Sequence, residues 1–402
     1  MSLGNFRPYH RSIVDNTLLV LLCKEVDLKE FGQGKVFEKL VEDLKDLESN
    51  GILVQNEKSV FFITGDNLGS HGIGGFLESF SNVEYFCRYC KVSAQEFHHD
   101  PLKVGWKRNA NNYNAALSIL SGNNSLKSVD GIKFNSVFNS LKYFHVADSG
   151  LPPCLAHDIF EGLGSNDVAL IIKHLTTVKQ WFHIDELNHR LSTLHYLGSD
   201  ATSKPCLVAV SGEKLGGQAI QNWNFIRLLP IIMHDRICNT DDPYWHMFLL
   251  LRDIIELLCA PTITEADIAY LSTLIDEYLE ERKQNFPDDR MKPKHHYFKH
   301  YPRLILEFGP LIRVWTLRFE SKHSYLKQCI KHSQNFINIC KTLAEKHQLL
   351  QAYKQAVSHF QGVVYVKKRY ATLIKYLQSG CPVCRSGMSD FRRCRSQYRS
   401  EL

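Results

Sequence analysis

The chain has 402 residues, 44% hydrophobic and 22% charged, with a formal net charge of +6 and 19 histidines. That length exceeds one small core and makes two domains the prior, and the composition is that of an ordinary globular protein without long disordered tracts. The basic excess permits nucleic-acid contact but lacks the dense basic stripe of a dedicated DNA binder.

In chain order, Met1 to Arg11 has no apolar core of the length a secretory signal needs. Thr17 to Cys23 is a short apolar run suited to a buried strand. Lys35 to Glu48 places Val36, Phe37, Leu40, Val41, Leu44 and Leu47 at helical spacing, with Asn50-Gly51 as the stop. Ser59 to Thr64 is aromatic and β-branched, the pattern of a central strand. It runs into the turn Gly65-Asp66-Asn67 and a glycine-rich helical patch from His71 to Phe80. Val83 to Phe86 is a further strand candidate. Residues 91–150 are polar and rich in Asn and Ser, and read as an insertion with one or two short helices. From Pro153 the pattern turns helical: Asn166 to Trp181, Asn222 to His234, Tyr244 to Leu258, Thr264 to Lys283, and Glu320 to Tyr353 with a break near His332 to Asn335. Pro205 to Val210 reads as a lone strand or loop. No membrane span is predicted, because the apolar run Met247 to Cys259 is interrupted by Arg252 and Asp253. The tail after Ser379 is basic and lacks apolar periodicity, so it is expected to be disordered.

The twelve cysteines have no secretion signal beside them. In a reducing compartment, paired cysteines indicate metal rather than disulfides. Cys87-Arg88-Tyr89-Cys90 is the strongest local signal, since two thiolates at this spacing can close on one zinc from a tight turn. Such a pair is half a site. Cys154-Leu155-Ala156-His157 offers the other half, because positions three apart on a helix share a face. Together they predict a Cys3His tetrahedron, against the plainer reading of Cys154 as a core thiol. His98 and His99 compete for the same positions but sit in a polar stretch. Cys381 and Cys384, with Cys394 nearby, lack a well-spaced fourth ligand.

Two carboxylates complete the candidates. Asp66 follows an apolar strand at its carboxyl end, where open α/β sheets present functional groups; it is equally suited to capping the next helix. Glu161 lies four residues after His157 on the same helical face, so a metal at His157 would aim it. A basic zone holds His295, His296, His300 and His323 with Lys292, Lys294, Lys299, Arg303, Arg313 and Arg318. Tyr297, Tyr301, Trp315, Phe319 and Tyr325 are interleaved with it. The zone reads either as a track for a nucleic-acid backbone or as a helical core with a wet basic face.

Four segments carry a family resemblance: TGDNLGSHGIGGFLESF (64–80), FCRYC (86–90), SVFNSLKYFHVADSGLPPCLAHDIFEG (136–162) and KPKHHYFKHYPRLILEFGPLIRVWTLRFESKHSYLKQ (292–328). They resemble transposase-derived proteins of animal genomes, which are similar to the plant CACTA/EnSpm DNA transposases. The resemblance covers roughly residues 5–353. It implies a ribonuclease H-like domain with three carboxylates, a CxxC between the second and third, and later histidine-containing ligands. Asp66 then corresponds to the second acid, Cys87 and Cys90 to the zinc motif, and Glu161, or its neighbour Asp158, to the third acid. The chain starts in a region resembling the segment downstream of the first acidic strand, and Asp15 is a poor substitute.

The expectation is therefore an α+β, mostly helical protein. Residues 1–163 form a partial ribonuclease H-like α/β core with the zinc-binding insertion, residues 164–360 a helical domain, and 361–402 the basic tail. Structural zinc is the expected cofactor, with Mg or Mn only if the chain is catalytic, because two-metal strand transfer needs the bridging first acid. The resemblance implies a transposon-derived, nuclear, N-terminally truncated protein that is catalytically inactive. The competing reading is a zinc-braced scaffold that binds DNA or protein, with no membrane association and with self-association as a further option.

Overall fold

The computed structural model describes residues 13, 16–50, 63–80, 83–148, 150–209, 212–333 and 337–358. These residues are mostly helical. Among them no β-ladder forms, and the only pairings are three isolated bridges: Phe76 with Ile132, Cys90 with Lys107 and Val129 with Ile132. The ribonuclease H-like sheet expected for residues 1–163 is thus not seen among the described residues. Most of the expected strand Ser59 to Thr64 lies outside them, as does the tail with Cys381, Cys384 and Cys394. Thr17 to Cys23 and Val83 to Phe86 are described and are not strands. An extended run becomes a strand only when a neighbour takes its backbone donors and acceptors. Instead, Glu84 accepts the amide of Ala94, a helix-entry contact at 2.7 Å.

Many helices follow the sequence pattern, but the glycine-rich patch expected from His71 to Phe80 is helical only over Asn67–Gly74, and the helices Ile184–Thr193 and Tyr301–Phe308 were not expected. Helix α1 (Glu25–Asn50) contains the expected apolar stripe, bent where Gly32 adopts φ 72°. Helix α2 (Asn67–Gly74) starts on Asp66, whose carboxylate accepts from the Gly69 amide. The insertion holds α3 (Ala94–His99) and α4 (Ala110–Gly122), opened by Ser93/Glu96 and Asn109/Asn112 capping boxes. These reciprocal bonds satisfy helix-end amides that are otherwise orphaned. A π-helical turn, Ala156–Leu163, then runs into α5 (Gly164–Thr177). Gly162 is needed there: a Cβ would lie 2.6 Å from the His157 carbonyl and 2.7 Å from Lys294 Cδ. Helices α6 (Ile184–Thr193), α7 (Gly198–Thr202) and α8 (Ala219–Ile232) come next.

Helices α9 (Pro243–Leu258) and α10 (Glu265–Asn285) pack against each other. Asp242 caps the first, with Pro243 at its opening position, and a Thr264/Asp267 box caps the second. Helices α11 (Pro293–Phe298) and α12 (Tyr301–Phe308) meet at Lys299-His300. Helices α13 (Leu317–Ser333) and α14 (Ile339–Ser358) are separated near the predicted break.

The chain divides into two compact units, one of Glu25–Arg318 and one of Met1–Lys24 with Phe319–Leu402. In the smaller unit, Leu326 and Leu343 are buried and the Leu19 amide donates to His347 Nε2. The larger unit has two apolar cores. One joins Val41 and Leu44 of α1 to Phe76, Tyr113, Phe138 and Phe144. The other is continuous from Phe86 and Phe97 through Ile159, Phe160 and Phe248 to Tyr301 and Leu304. Each large apolar side chain so buried contributes about 1.5–3 kcal/mol.

A buried ion cluster ties α5, α10 and α11 together. Asp167 accepts from Arg282 Nε at 3.0 Å and from Tyr278 Oη, and lies 2.9 Å from His295 Nε2. Arg282 also reaches Asp289. Burial works against the charge on Asp167, but His295, Arg282 and Tyr278 together hold its carboxyl well below the usual range. Asp167→Asn leaves Arg282 buried with weaker compensation, and removing one partner of such a pair costs about 3–5 kcal/mol. Because the folded carboxyl titrates lower than the unfolded one, its contribution is present above about pH 4 and is lost as pH falls. Urea titrations should therefore show a large deficit for Asp167→Asn at pH 7 that narrows below about pH 4; an equal deficit at all pH values would contradict the assignment.

Candidate metal centre

The Cys87–Cys90 turn is held by the neighbouring segment Gly105 to Arg108. Arg108 Nε donates to the Cys87 carbonyl at 2.8 Å, and the Arg108 amide donates to the Tyr89 carbonyl at 3.1 Å. The Lys91 amide donates to the Trp106 carbonyl at 2.9 Å. Gly105 allows this approach, since a Cβ there would fall 2.3 Å from the Lys91 carbonyl carbon and the Val92 nitrogen. Inside the turn, the Tyr89 amide donates to Cys87 Sγ at 3.3 Å. Backbone donors to a sulfur favour the thiolate.

The partners of the two sulfurs are His296 and His300. One ligand atom from each of Cys87, Cys90, His296 and His300 lies within 4.8 Å of all the others, and all four residues are buried. Cys87 Sγ is 3.4 Å from His300 Nε2, Cys90 Sγ is 3.2 Å from His296 Nε2, and the two Nε2 atoms are 3.0 Å apart. A tetrahedral zinc with bonds of about 2.0–2.1 Å to nitrogen and about 2.3 Å to sulfur sets ligand–ligand edges of roughly 3.3–3.8 Å. The separations lie close to those edges.

The electrostatics fit a cation. Burial opposes ionisation of Cys87 most strongly, yet the hydrogen bond from Cys90 and the His300 and His296 rings bring this thiol well below its ordinary value. Burial, and then the neighbouring Cys87 sulfur, push the Cys90 thiol up. The pair thus tends to keep one proton between two sulfurs, and a divalent cation would displace it. Burial drives His300 down to about 4 against the pull of the Cys87 sulfur, which leaves the neutral ring that ligates metal. The edges of Phe86 and Phe97 enclose His296 with centroids at 5.5 and 5.3 Å. The cluster could hold a metal such as zinc.

Cys154 and His157, expected as the other half of the site, are not in this group. Cys154 Sγ lies 3.2 Å from His157 Nδ1 and 2.9 Å from Thr316 Oγ1, so the two face each other and Thr316. The helical spacing does bring them together, but on a different neighbour. His98 also lies outside the group, with Nε2 2.7 Å from Arg290 Nε.

The central part of the basic zone proves to be interior. His295, His296, His300, Tyr297 and Tyr301 are buried, Lys294 Nζ donates to the His157 carbonyl, and Lys299 pairs with Asp276. Of the same zone, Lys292 and His323 are exposed and Arg303, Arg313 and Arg318 half-buried. The missed ligands carried a legible signal: His296 and His300 are four apart, the spacing of the histidine pair in many zinc sites.

The candidate acids are engaged locally. Asp66 caps α2 through the Gly69 amide at 2.6 Å. Glu161 Oε1 accepts from the Ala219 amide at 3.1 Å, and Oε2 is 3.9 Å from His157 Nε2. Among the described residues no hydrogen bond or ion pair joins Asp66 to Glu161. Asp158 is fully buried and accepts from Asn67 Nδ2 at 2.5 Å and Tyr301 Oη at 2.8 Å. Arg88 Nη1 donates to Asn67 Oδ1 at 2.7 Å, so the residue after Asp66 is tied to both the cysteine turn and the Asp158 helix.

A scan against protein-family models finds no match to this chain, and no curated protein matches it.

Metal analysis separates the two ligand sets. Cys87→Ser, His296→Ala and His300→Ala should each lose the bound metal, whereas Cys154→Ser should retain one equivalent. Retention in His296→Ala together with loss in Cys154→Ser would restore the Cys3His arrangement.

Proposed function

We propose that the chain is a transposase-derived scaffold of CACTA/EnSpm ancestry, braced by one structural zinc, that binds DNA without cutting it. The observation that carries this reading is the closed donor set: Cys87, Cys90, His296 and His300 are all buried and grouped. Structural zinc sites fill all four positions with protein, while catalytic ones keep one open for water or substrate. Two sulfurs and two imidazole nitrogens suit zinc over magnesium or calcium, which take oxygen. In this role the four residues would fix the relative placement of the α11–α12 joint and the turn before α3. The ancestry rests on the long motifs at 64–80, 86–90, 136–162 and 292–328, and DNA is the partner it implies.

A second reading, metal-dependent DNA cleavage on a ribonuclease H-like core, has one specific observation in its favour. The Asn67–Asp158 hydrogen bond brings the Asp66 turn next to the segment carrying Glu161. Such convergence is what the family implies for its second and third acids. Against it, Asp66 and Glu161 already serve backbone amides, and Asp158 is enclosed by Asn67 and Tyr301.

Supercoiled plasmid with Mg or Mn distinguishes the two. The scaffold reading expects salt-sensitive DNA binding and no nicking above that of Asp66→Ala; nicking that vanishes in Asp66→Ala and Glu161→Gln would establish the enzyme. Because the site does not exist in the unfolded chain, metal binding adds to folding free energy, and stripping the zinc with a strong chelator should lower Tm by about 10 °C or more. An unchanged melting curve after verified zinc loss would remove the structural role.

A further inference from the structure

A second group of metal-ligating side chains stands on the α9–α10 pair, with no sulfur in it. His246 lies in the first turn of α9. Glu277 and Glu281 are four apart on α10 and so share a face. One ligand atom from each of the three lies within 4.8 Å of the others. His246 Nδ1 is 2.7 Å from Glu281 Oε1, and their side chains are 44% and 23% exposed. Glu281 Oε2 is buried and has no hydrogen-bond partner. A carboxylate oxygen removed from water without a donor is costly to leave so. Among the described residues no lysine or arginine pairs with Glu277 or Glu281, although Asp276 on the same helix is paired with Lys299. Two negative charges and an imidazole thus surround a point that none of the described lysines and arginines reaches.

We propose that His246, Glu277 and Glu281 bind one divalent transition-metal ion, with water filling the remaining positions. The imidazole favours zinc, nickel or iron over magnesium and calcium, which prefer all-oxygen sites. Partial exposure makes this ion exchangeable, unlike one enclosed at Cys87 and Cys90. The ion bridges two helices, so it adds stability only while bound. This inference is independent of the reading of the chain as a transposase-derived scaffold.

Calorimetric titration of the purified, dialysed full chain with zinc chloride tests it. We expect one equivalent beyond the metal retained through dialysis, with an accompanying rise in Tm. His246→Ala, Glu281→Gln and Glu277→Gln should each weaken that second equivalent at least tenfold, while leaving the retained metal in place. Glu265→Gln, at the start of α10, should bind as the parent does. Glu277 is exposed, so its variant keeps the test readable if the others unfold. No heat from a second equivalent, or parental affinity in folded Glu277→Gln, overturns the proposal.

Discussion

The structure of the larger unit depends on one long-range tie. Cys90 meets His296 across 206 residues of sequence, and Cys87 meets His300 across 213. The entropy cost of closing a loop rises with its length, so a contact at this separation has to be strong or be supported by neighbouring burial. Here it has both. The four side chains are buried together, and Phe86, Tyr89, Tyr297 and Phe298 in the surrounding turn and helix belong to the same apolar core. Without a cation, two imidazole edges facing each other at 3.0 Å and two thiols in an apolar setting would be poorly compensated. A shared positive ion would resolve all of these at once.

The region around the tie is built to hold it. His295 and His296 are consecutive, yet one faces Asp167 and the other faces Cys90. Helix α11 is thus fixed on one side by charge and on the other by the sulfur cluster. Arg88, inside the CxxC turn, stacks at 4.5 Å on Tyr89 and at 5.3 Å on Tyr297 while bonding Asn67. Tyr301, just past His300, carries the connection on to Asp158. The π-helical turn after Cys154 belongs to this frame, since Lys294 of α11 bonds the His157 carbonyl. Such widened turns often occur where a helix adjusts to a functional contact.

How much of this the amino-acid sequence reveals depends on range. Local rules work well: the apolar stripe of α1, the break near His332, and the ends of α9 and α10 all come from spacing, caps and prolines. The CxxC turn is equally readable, because its chemistry lies within four residues. The partner of that turn is a tertiary fact. Cys154 with His157 offers a good local motif nearer in sequence, whereas His296 and His300 sit among lysines and arginines that suggest a wet surface. Their burial reveals itself only when the Pro293 helix packs against the turn. In sequence, Asp66 is open between a functional acid and a helix cap, and the cap is what its carboxylate makes. Strand propensity at Thr17 to Cys23 and Val83 to Phe86 fails because propensity cannot supply a neighbouring strand.

X-ray absorption at the zinc edge of the purified full chain examines the central tie most directly. The account predicts a shell of two sulfurs at about 2.3 Å and two imidazole nitrogens at about 2.0 Å. A shell of three sulfurs and one nitrogen, or one rich in oxygen, would contradict it.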